Sequence, residues 1–141
     1  MTASPPPIAL IAEDEPLLAR ALRAELARAW PQLQVLPPVG DGASAVRVTL
    51  EQRPDLLFLD IRMPGLTGLE AAAAVLDEWP SEAAERAPLI VFVTAYDEYA
   101  ARAFDVQAAD YLLKPVRPER LARTVERQAF GAHGLEQVVR G

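Results

Sequence analysis

Residues 54–65, with the sequence PDLLFLDIRMPG, combine the pattern of a buried strand with a turn. Leu56–Leu59 is an uninterrupted apolar run, which is too short for a helix and typical of a strand that is buried on both faces. Asp60 follows directly, and Pro64-Gly65 then marks a turn. Because ligands bind beyond the carboxyl ends of the strands in an open parallel sheet, the sequence predicts that Asp60 is a functional carboxylate.

Composition restricts the classes of protein to which the chain can belong. Its 141 residues predict one domain, and 51% hydrophobic with 24% charged residues are typical of a globular protein. The lack of cysteine excludes disulfides, a thiol nucleophile and thiolate metal sites. The net charge of -6 argues against nucleic-acid binding by this chain. No apolar run approaches the roughly 20 residues that span a bilayer, and residues 1–7 do not resemble a signal peptide, so a cytoplasmic protein is predicted.

Short apolar runs predict five strands along the chain. They are Ile8–Ala12, Gln34–Val39, Leu56–Leu59, Leu89–Val93 and Tyr111–Leu113. Pro37-Pro38 inside the second run is tolerated only in an edge strand, because proline donates no ladder hydrogen bond.

Helical patterns follow these strands. Pro16 and Pro118 suit the first turns of the first and last helices, and Asp41 suits the N-cap of the second. Thr67 and Glu70 form a capping box before the third. A short fourth helix is predicted over 97–104, whereas 81–87 reads as a polar connection.

Alternating strands and helices predict an α/β fold, a parallel sheet with helices on both faces. Four of the strands end in groups with chemical potential: Glu13-Asp14, Asp60, Thr94 and Lys114. The carboxyl ends of parallel strands lie at the same edge of the sheet, so these groups are expected to meet. Lys114 is the only lysine beside thirteen arginines, a pattern that fits either a general bias toward arginine or a need for a compact ammonium at this position.

The chemistry of this set favours a phosphoryl group. Three converging carboxylates repel one another unless a cation lies among them, and hard oxygen ligands suit Mg²⁺. A lysine supplies a second positive charge, and a threonine hydroxyl can donate to an oxyanion. One carboxylate surrounded by these groups can act as a nucleophile and form an acyl phosphate.

These motifs resemble the receiver domains of two-component response regulators, and the resemblance covers roughly residues 8–128. Residues 94–115 resemble in particular receivers of the LytR/AlgR type, in which a LytTR-type DNA-binding domain follows. The resemblance implies a doubly wound (βα)5 flavodoxin-like fold, with a five-stranded parallel sheet in the order 2-1-3-4-5. It also implies a disordered N-terminus over 1–7 and a receiver domain over 8–130. Residues 131–141 would form a tail, or the start of a linker to an output domain absent from this sequence.

The resemblance implies a role for each site residue. Asp60 would accept a phosphoryl group from a sensor histidine kinase, or from a small donor such as acetyl phosphate. Asp14, Asp60 and the backbone carbonyl of Arg62 would hold Mg²⁺, and Glu13 would act through a bound water. Lys114 would pair with Asp60 and then with the phosphoryl oxygens. The chain would catalyse only its own phosphorylation and slow dephosphorylation.

The resemblance also implies a switch. Thr94 would swing toward the phosphoryl group and Tyr111 would turn inward behind it. Their movement would reshape the output face, which we define as the predicted helix over 97–104, the fifth strand and the last helix, and so control transcription. The Lys114-Pro115 bond is expected to be cis in this family. A homodimer is expected through residues of the output face, which are Arg102, Asp110, Arg117 and Arg120.

Other readings remain at this stage. Taken singly, Glu13-Asp14 could cap a helix and Asp60 could serve the turn. The main alternative function is a phosphorylation-independent receiver that acts as a protein-interaction module. A Mg²⁺-dependent phosphohydrolase is disfavoured because Arg62 stands where those enzymes carry a second acid. A flavin-binding domain is disfavoured because the acids after the first strand would repel a phosphate.

Overall fold

The structure is a computed structural model that describes residues 5–95 and 108–128. The predicted helix over 97–104 and the predicted tail over 131–141 therefore lie outside the described residues, and the domain boundaries stay a prediction. None of the helices within the described ranges is long and apolar enough to cross a membrane.

Five strands and four α-helices make up the described part of the chain. The strands are β1 (Ile8–Ala12), β2 (Gln34–Val35), β3 (Leu56–Leu59), β4 (Leu89–Thr94) and β5 (Asp110–Leu113). The helices are α1 (Pro16–Ala29), α2 (Gly42–Gln52), α3 (Gly68–Glu78) and α4 (Pro118–Gln128), the last of which is the fifth helix of the sequence prediction. All strand pairs are parallel and the sheet order is β2-β1-β3-β4-β5, which confirms the predicted fold class.

Alternation along the strands divides the core between the two faces of the sheet. Ile11 and Phe58 pack with residues of α1 and α4, whereas Leu10 and Leu57 pack with residues of α2 and α3. Successive side chains of a strand point to opposite faces, so strands covered by helices on both sides must be apolar throughout. The complete burial of Leu56–Leu59 follows from this arrangement.

The predicted helix signals are confirmed. The Asp41 carboxylate accepts a hydrogen bond from the Ser44 N–H at 2.7 Å, and the capping box of Thr67 and Glu70 is complete. α2 ends at Arg53, which adopts a left-handed conformation with φ 49°. Its guanidinium lies 5.7 Å from the centre of the Trp79 ring.

Two connections differ from the sequence prediction. β2 contains only two residues, because Pro37-Pro38 interrupts the ladder before Val39 pairs again with Ala12. Residues 81–86, predicted as a polar connection, form a short 3-10 helix instead. The Trp79 indole N–H donates to the Ala83 carbonyl at 2.8 Å and so ties this turn to the end of α3.

Two buried threonines lead to opposite predictions. Thr49 in α2 and Thr124 in α4 are both fully buried, but within the described residues only the Thr49 hydroxyl lacks a hydrogen-bond partner. Replacing an unsatisfied hydroxyl by an apolar group of the same shape removes a desolvation cost. Thr49→Val is therefore expected to raise the free energy of unfolding by up to about 1 kcal/mol. Thr124→Val is expected to lower it by about 1–3 kcal/mol, because it leaves the carboxylate of Asp110 short of a donor.

Urea unfolding of the wild type and both variants tests this pair. A destabilised Thr49→Val variant, or an unchanged Thr124→Val variant, would contradict the assignment.

Candidate functional site

The site is built where β1, β3 and β5 end at one edge of the sheet. Ala12 of β1 lies opposite Leu59 of β3 in the register, so Glu13 and Asp60 emerge side by side. The Asp60 N–H donates to the Ala12 carbonyl at 2.9 Å, and the Glu13 N–H donates to the Val39 carbonyl at 2.8 Å. These backbone bonds hold both acids in place while their side chains remain available.

Lys114 follows β5, the outermost strand next to β4, and its side chain contacts both acids. Its ammonium lies 2.8 Å from Asp60 Oδ2 and 2.5 Å from Glu13 Oε1. The Lys114 N–H donates to the Thr94 carbonyl at 2.8 Å, which fixes the backbone of the lysine against β4. Lys114 and Asp60 are 54 residues apart in the sequence, so their contact depends on the fold.

Asp14 completes a cluster of three carboxylates. Ligand atoms of Glu13, Asp14 and Asp60 all lie within 4.8 Å of one another, with Asp14 exposed and the other two acids buried. Burial raises the pKa of Glu13 to about 7, and the nearby Asp60 carboxylate adds to the rise. Burial by itself would lower the pKa of Lys114, but its hydrogen bonds with Asp60 and Glu13 raise it above the usual value. Three carboxylates therefore lie close together with only one ammonium beside them. Closely spaced carboxylate oxygens with a net negative charge are suitable ligands for Mg²⁺.

Two glycines permit the close packing behind Asp60. A Cβ on Gly68, the first residue of α3, would overlap the Asp60 carbonyl oxygen. A Cβ on Gly42, the first residue of α2, would overlap the Leu66 carbonyl oxygen. The Gly68 N–H donates to the Ile61 carbonyl at 2.7 Å, and the Arg62 N–H donates to Asp60 Oδ1 at 3.3 Å. The loop after Asp60 is therefore closely packed against the first residues of α2 and α3.

The predicted switch residues lie on adjacent strands. Thr94 is fully buried at the end of β4, next to the connection that carries Lys114. Tyr111 in β5 is partly buried and packs on the cluster of apolar residues that faces α2 and α3. The Lys114-Pro115 peptide bond is cis, as expected.

A charged cluster around the buried Asp110 carboxylate joins β5 to α4. The Asp110 carboxylate binds Arg120 at 2.8 and 3.2 Å, the Thr124 hydroxyl at 2.7 Å and Arg127 at 3.0 Å. Four residues were predicted on a dimer face. Two of them, Asp110 and Arg120, contact each other within the chain. Arg117 is exposed, and Arg102 lies outside the described residues. The spacing of 120, 124 and 127 on one side of a helix is a signal that could have indicated the internal contact.

The family profile of the response regulator receiver domain matches residues 9–126. The chain belongs to the response regulator receiver family. It is 44% identical over 119 residues to an uncharacterized response regulatory protein of Vibrio cholerae. The alignment covers 84% of this chain and 43% of that protein. It is 42% identical over 119 residues to the positive alginate biosynthesis regulatory protein of Pseudomonas aeruginosa, covering 84% of this chain and 45% of the relative.

These relatives confirm the predicted likeness to the LytR/AlgR type. The chain spans less than half of the length of either relative. Among solved structures, the response regulatory domain of mrkE from Klebsiella pneumoniae superposes with a TM-score of 0.80 at 28% identity, covering 89% of this chain and 98% of that domain.

The charged cluster predicts how stability responds to acid. Burial alone would raise the pKa of Asp110, but the hydrogen bonds from Arg120, Thr124 and the Tyr111 N–H outweigh it and hold the pKa below the usual 3.8. The folded state thus binds this proton less tightly than the unfolded state. The stabilisation is complete above pH 3.8 and is lost as the pH falls through the lower pKa of the folded protein.

Asp110→Asn removes this titration. The variant is expected to lose about 1.5–3 kcal/mol of unfolding free energy at neutral pH, the range for hydrogen bonds to charged groups. Below pH 3.8 its stability should fall less steeply than that of the wild type. Urea unfolding at a series of pH values checks this, and parallel curves for the two proteins would contradict it.

Proposed function

We propose that this receiver domain takes a phosphoryl group onto Asp60 from a phosphohistidine of a sensor histidine kinase. The observation that carries the proposal is the buried Asp60 carboxylate, 2.8 Å from the Lys114 ammonium and within 4.8 Å of ligand atoms of Glu13 and Asp14. A carboxylate so placed can attack phosphorus while the charge on the phosphoryl oxygens is neutralised.

The transfer balances as a displacement at phosphorus. A carboxylate oxygen of Asp60 forms the new P–O bond, the P–N bond of the donor breaks, and the electron pair stays on the imidazole nitrogen. Lys114 then shares its ammonium with the phosphoryl oxygens, and the Thr94 hydroxyl donates to one of them. Acetyl phosphate would serve as a small donor through the same displacement, with acetate as the leaving group.

The residues assigned to Mg²⁺ are Asp14, Asp60 and the backbone carbonyl of Arg62, with Glu13 acting through a water. The ion would supply positive charge to the phosphoryl oxygens during transfer. Support for this assignment comes from the acidic cluster and from a related structure. The receiver domain of sensor histidine kinase PA1611 from Pseudomonas aeruginosa, with a magnesium ion coordinated in its active site cleft, superposes with a TM-score of 0.72 at 26% identity. The match covers 87% of this chain and 97% of that domain.

The proposed consequence is a two-state switch. Once Asp60 is phosphorylated, Thr94 moves toward the new group and Tyr111 turns inward, which reshapes the output face. The domain acts only on itself, through its own phosphorylation and slow dephosphorylation. The transcriptional regulatory protein BtsR of Salmonella typhi, which is 42% identical over 118 residues, supports transcription as the output. We propose that this output acts in the cytoplasm, through a LytTR-type DNA-binding domain that is not in this sequence.

Phosphorylation of the purified chain tests the proposal. With Mg²⁺ and acetyl phosphate, the wild type is expected to gain the mass of one phosphoryl group. Asp60→Asn should gain none, whereas Asp77→Asn, which removes an exposed carboxylate on α3, should be labelled like the wild type. Beryllofluoride should shift the amide resonances of Thr94 and Tyr111 in the wild type and in Asp77→Asn, but not in Asp60→Asn. A wild type that neither gains mass nor shifts would favour the phosphorylation-independent interaction module.

Dimerisation through the output face is a separate proposal. Since Asp110 and Arg120 bind each other within the chain, the exposed Arg117 is the described residue of the predicted dimer face that remains to reach a second copy. Size-exclusion chromatography with and without beryllofluoride should show a shift toward a dimer, and Arg117→Glu should weaken it. A monomer under both conditions would overturn this proposal.

A further inference from the structure

The contact between Asp110 and Arg120 closes a loop that carries the lysine of the site. Asp110 is the first residue of β5, and Arg120 lies in the first turn of α4. Two hydrogen bonds, at 2.8 and 3.2 Å, join their side chains across ten residues of sequence. Lys114-Pro115 lies at the tip of the closed segment. We call the set of Asp110, Arg120 and Thr124 the clasp.

The clasp fixes both arms of this segment. The Thr124 hydroxyl donates to Asp110 Oδ2 at 2.7 Å, and an Arg120 N–H donates to the same hydroxyl at 2.7 Å. Only four residues, 114–117, connect the end of β5 to the start of α4. Moving α4 relative to β5 would therefore move the backbone of Lys114.

β5 needs such a fastening because it is an edge strand. Within the described sheet it pairs with β4 alone, over four residues. Each central strand pairs on two sides, so Glu13 and Asp60 are held more firmly than Lys114. The ammonium itself sits on a flexible four-carbon stem, so its reach depends on where the backbone lies.

The chemistry of the clasp also points to positioning. The pair joins a buried carboxylate to an arginine side chain that is 32% exposed, and such ion pairs contribute modestly to stability because desolvation and solvent screening offset their attraction. A forked arginine–carboxylate pair instead imposes a defined geometry. That geometry is placed between the two elements that flank Lys114-Pro115.

We propose that Asp110 is a positioning residue, which acts through Arg120 and Thr124 to hold Lys114 where its ammonium can pass from the Asp60 carboxylate to the incoming phosphoryl oxygens. The role rests on the proposed function of Lys114. Before transfer, the direct contacts with Glu13 and Asp60 hold the ammonium. During transfer the contact with Asp60 is exchanged, and the backbone position then decides whether Lys114 reaches its new partner.

A double-mutant cycle with Lys114 tests this role. The measurement is the rate of Asp60 phosphorylation at saturating Mg²⁺ and acetyl phosphate. Asp110→Asn is expected to slow the wild type about tenfold, less than the roughly 100-fold that a 1 Å misplacement can cost. In a Lys114→Ala background, Asp110→Asn should have no further effect. An equal slowing in both backgrounds, or none in either, overturns the role.

The partners of Asp110 provide a second measurement that tolerates a poorly folding variant. Arg120→Lys keeps the charge but loses the fork, so it should slow the rate less than Asp110→Asn does. If Asp110→Asn does not fold, the cycle is run with Arg120→Lys and Lys114→Ala. A rate for Arg120→Lys equal to that of the wild type would then count against the role.

A control separates positioning from general loss of stability. Leu33, which is buried beside Trp30 in the core before β2, lies toward the opposite edge of the sheet. Leu33→Ala should lower the free energy of unfolding and leave the phosphorylation rate unchanged. If Leu33→Ala slowed phosphorylation as much as Asp110→Asn does, lost stability would explain the effect of the clasp variants, and the positioning role would be overturned. A wild type that takes no phosphoryl group would overturn the proposed function, whereas a labelled wild type with unaffected clasp variants would overturn the positioning role alone.

Discussion

The contact of one ammonium with two buried carboxylates organises this molecule. Lys114 reaches Asp60 at 2.8 Å and Glu13 at 2.5 Å, and thereby joins the ends of β1, β3 and the edge strand β5. Without it, two acids that are each more than nine-tenths buried would face each other unpaired. Such an arrangement is costly, since buried charge is tolerated only when it is paired or binds a metal.

Tight backbone packing around the loop after Asp60 supports this contact. The starts of α2 and α3 approach the loop after Asp60 so closely that Gly42 and Gly68 leave no room for a side chain. The loop carries Arg62, whose N–H reaches back to the Asp60 carboxylate. The packed helix starts hold the Asp60 carboxylate in a fixed position. Lys114 follows an edge strand, so its ammonium is easier to displace. That asymmetry suits a switch, because a new charge on Asp60 acts first on the part that is held least firmly.

Sequence reasoning succeeded for features that depend on neighbours along the chain. The apolar run of β3, the capping box at Thr67 and the N-cap at Asp41 each follow from a few adjacent residues. It failed where contacts between elements decide the outcome. Residues 81–86, predicted as a polar connection, form a short 3-10 helix, and the Trp79 indole N–H donates to the Ala83 carbonyl within it. The prediction of Asp110 on a dimer face stays untested, but it did not include the contacts of Asp110 with Arg120 and Thr124 of α4.

Strand runs and turn signals are local, so the sequence was enough to predict an acidic pair, a carboxylate, a threonine and a single lysine at the ends of four of the five strands. The resemblance of these motifs to receivers also identified the family correctly. Three features instead come from the packing of elements that are distant in the chain: Glu13 shares the ammonium with Asp60, burial raises the pKa of Glu13, and Asp110 binds residues of α4. Those outcomes depend on sheet register and on how the helices lie against the sheet, so no pattern within a single segment determines them.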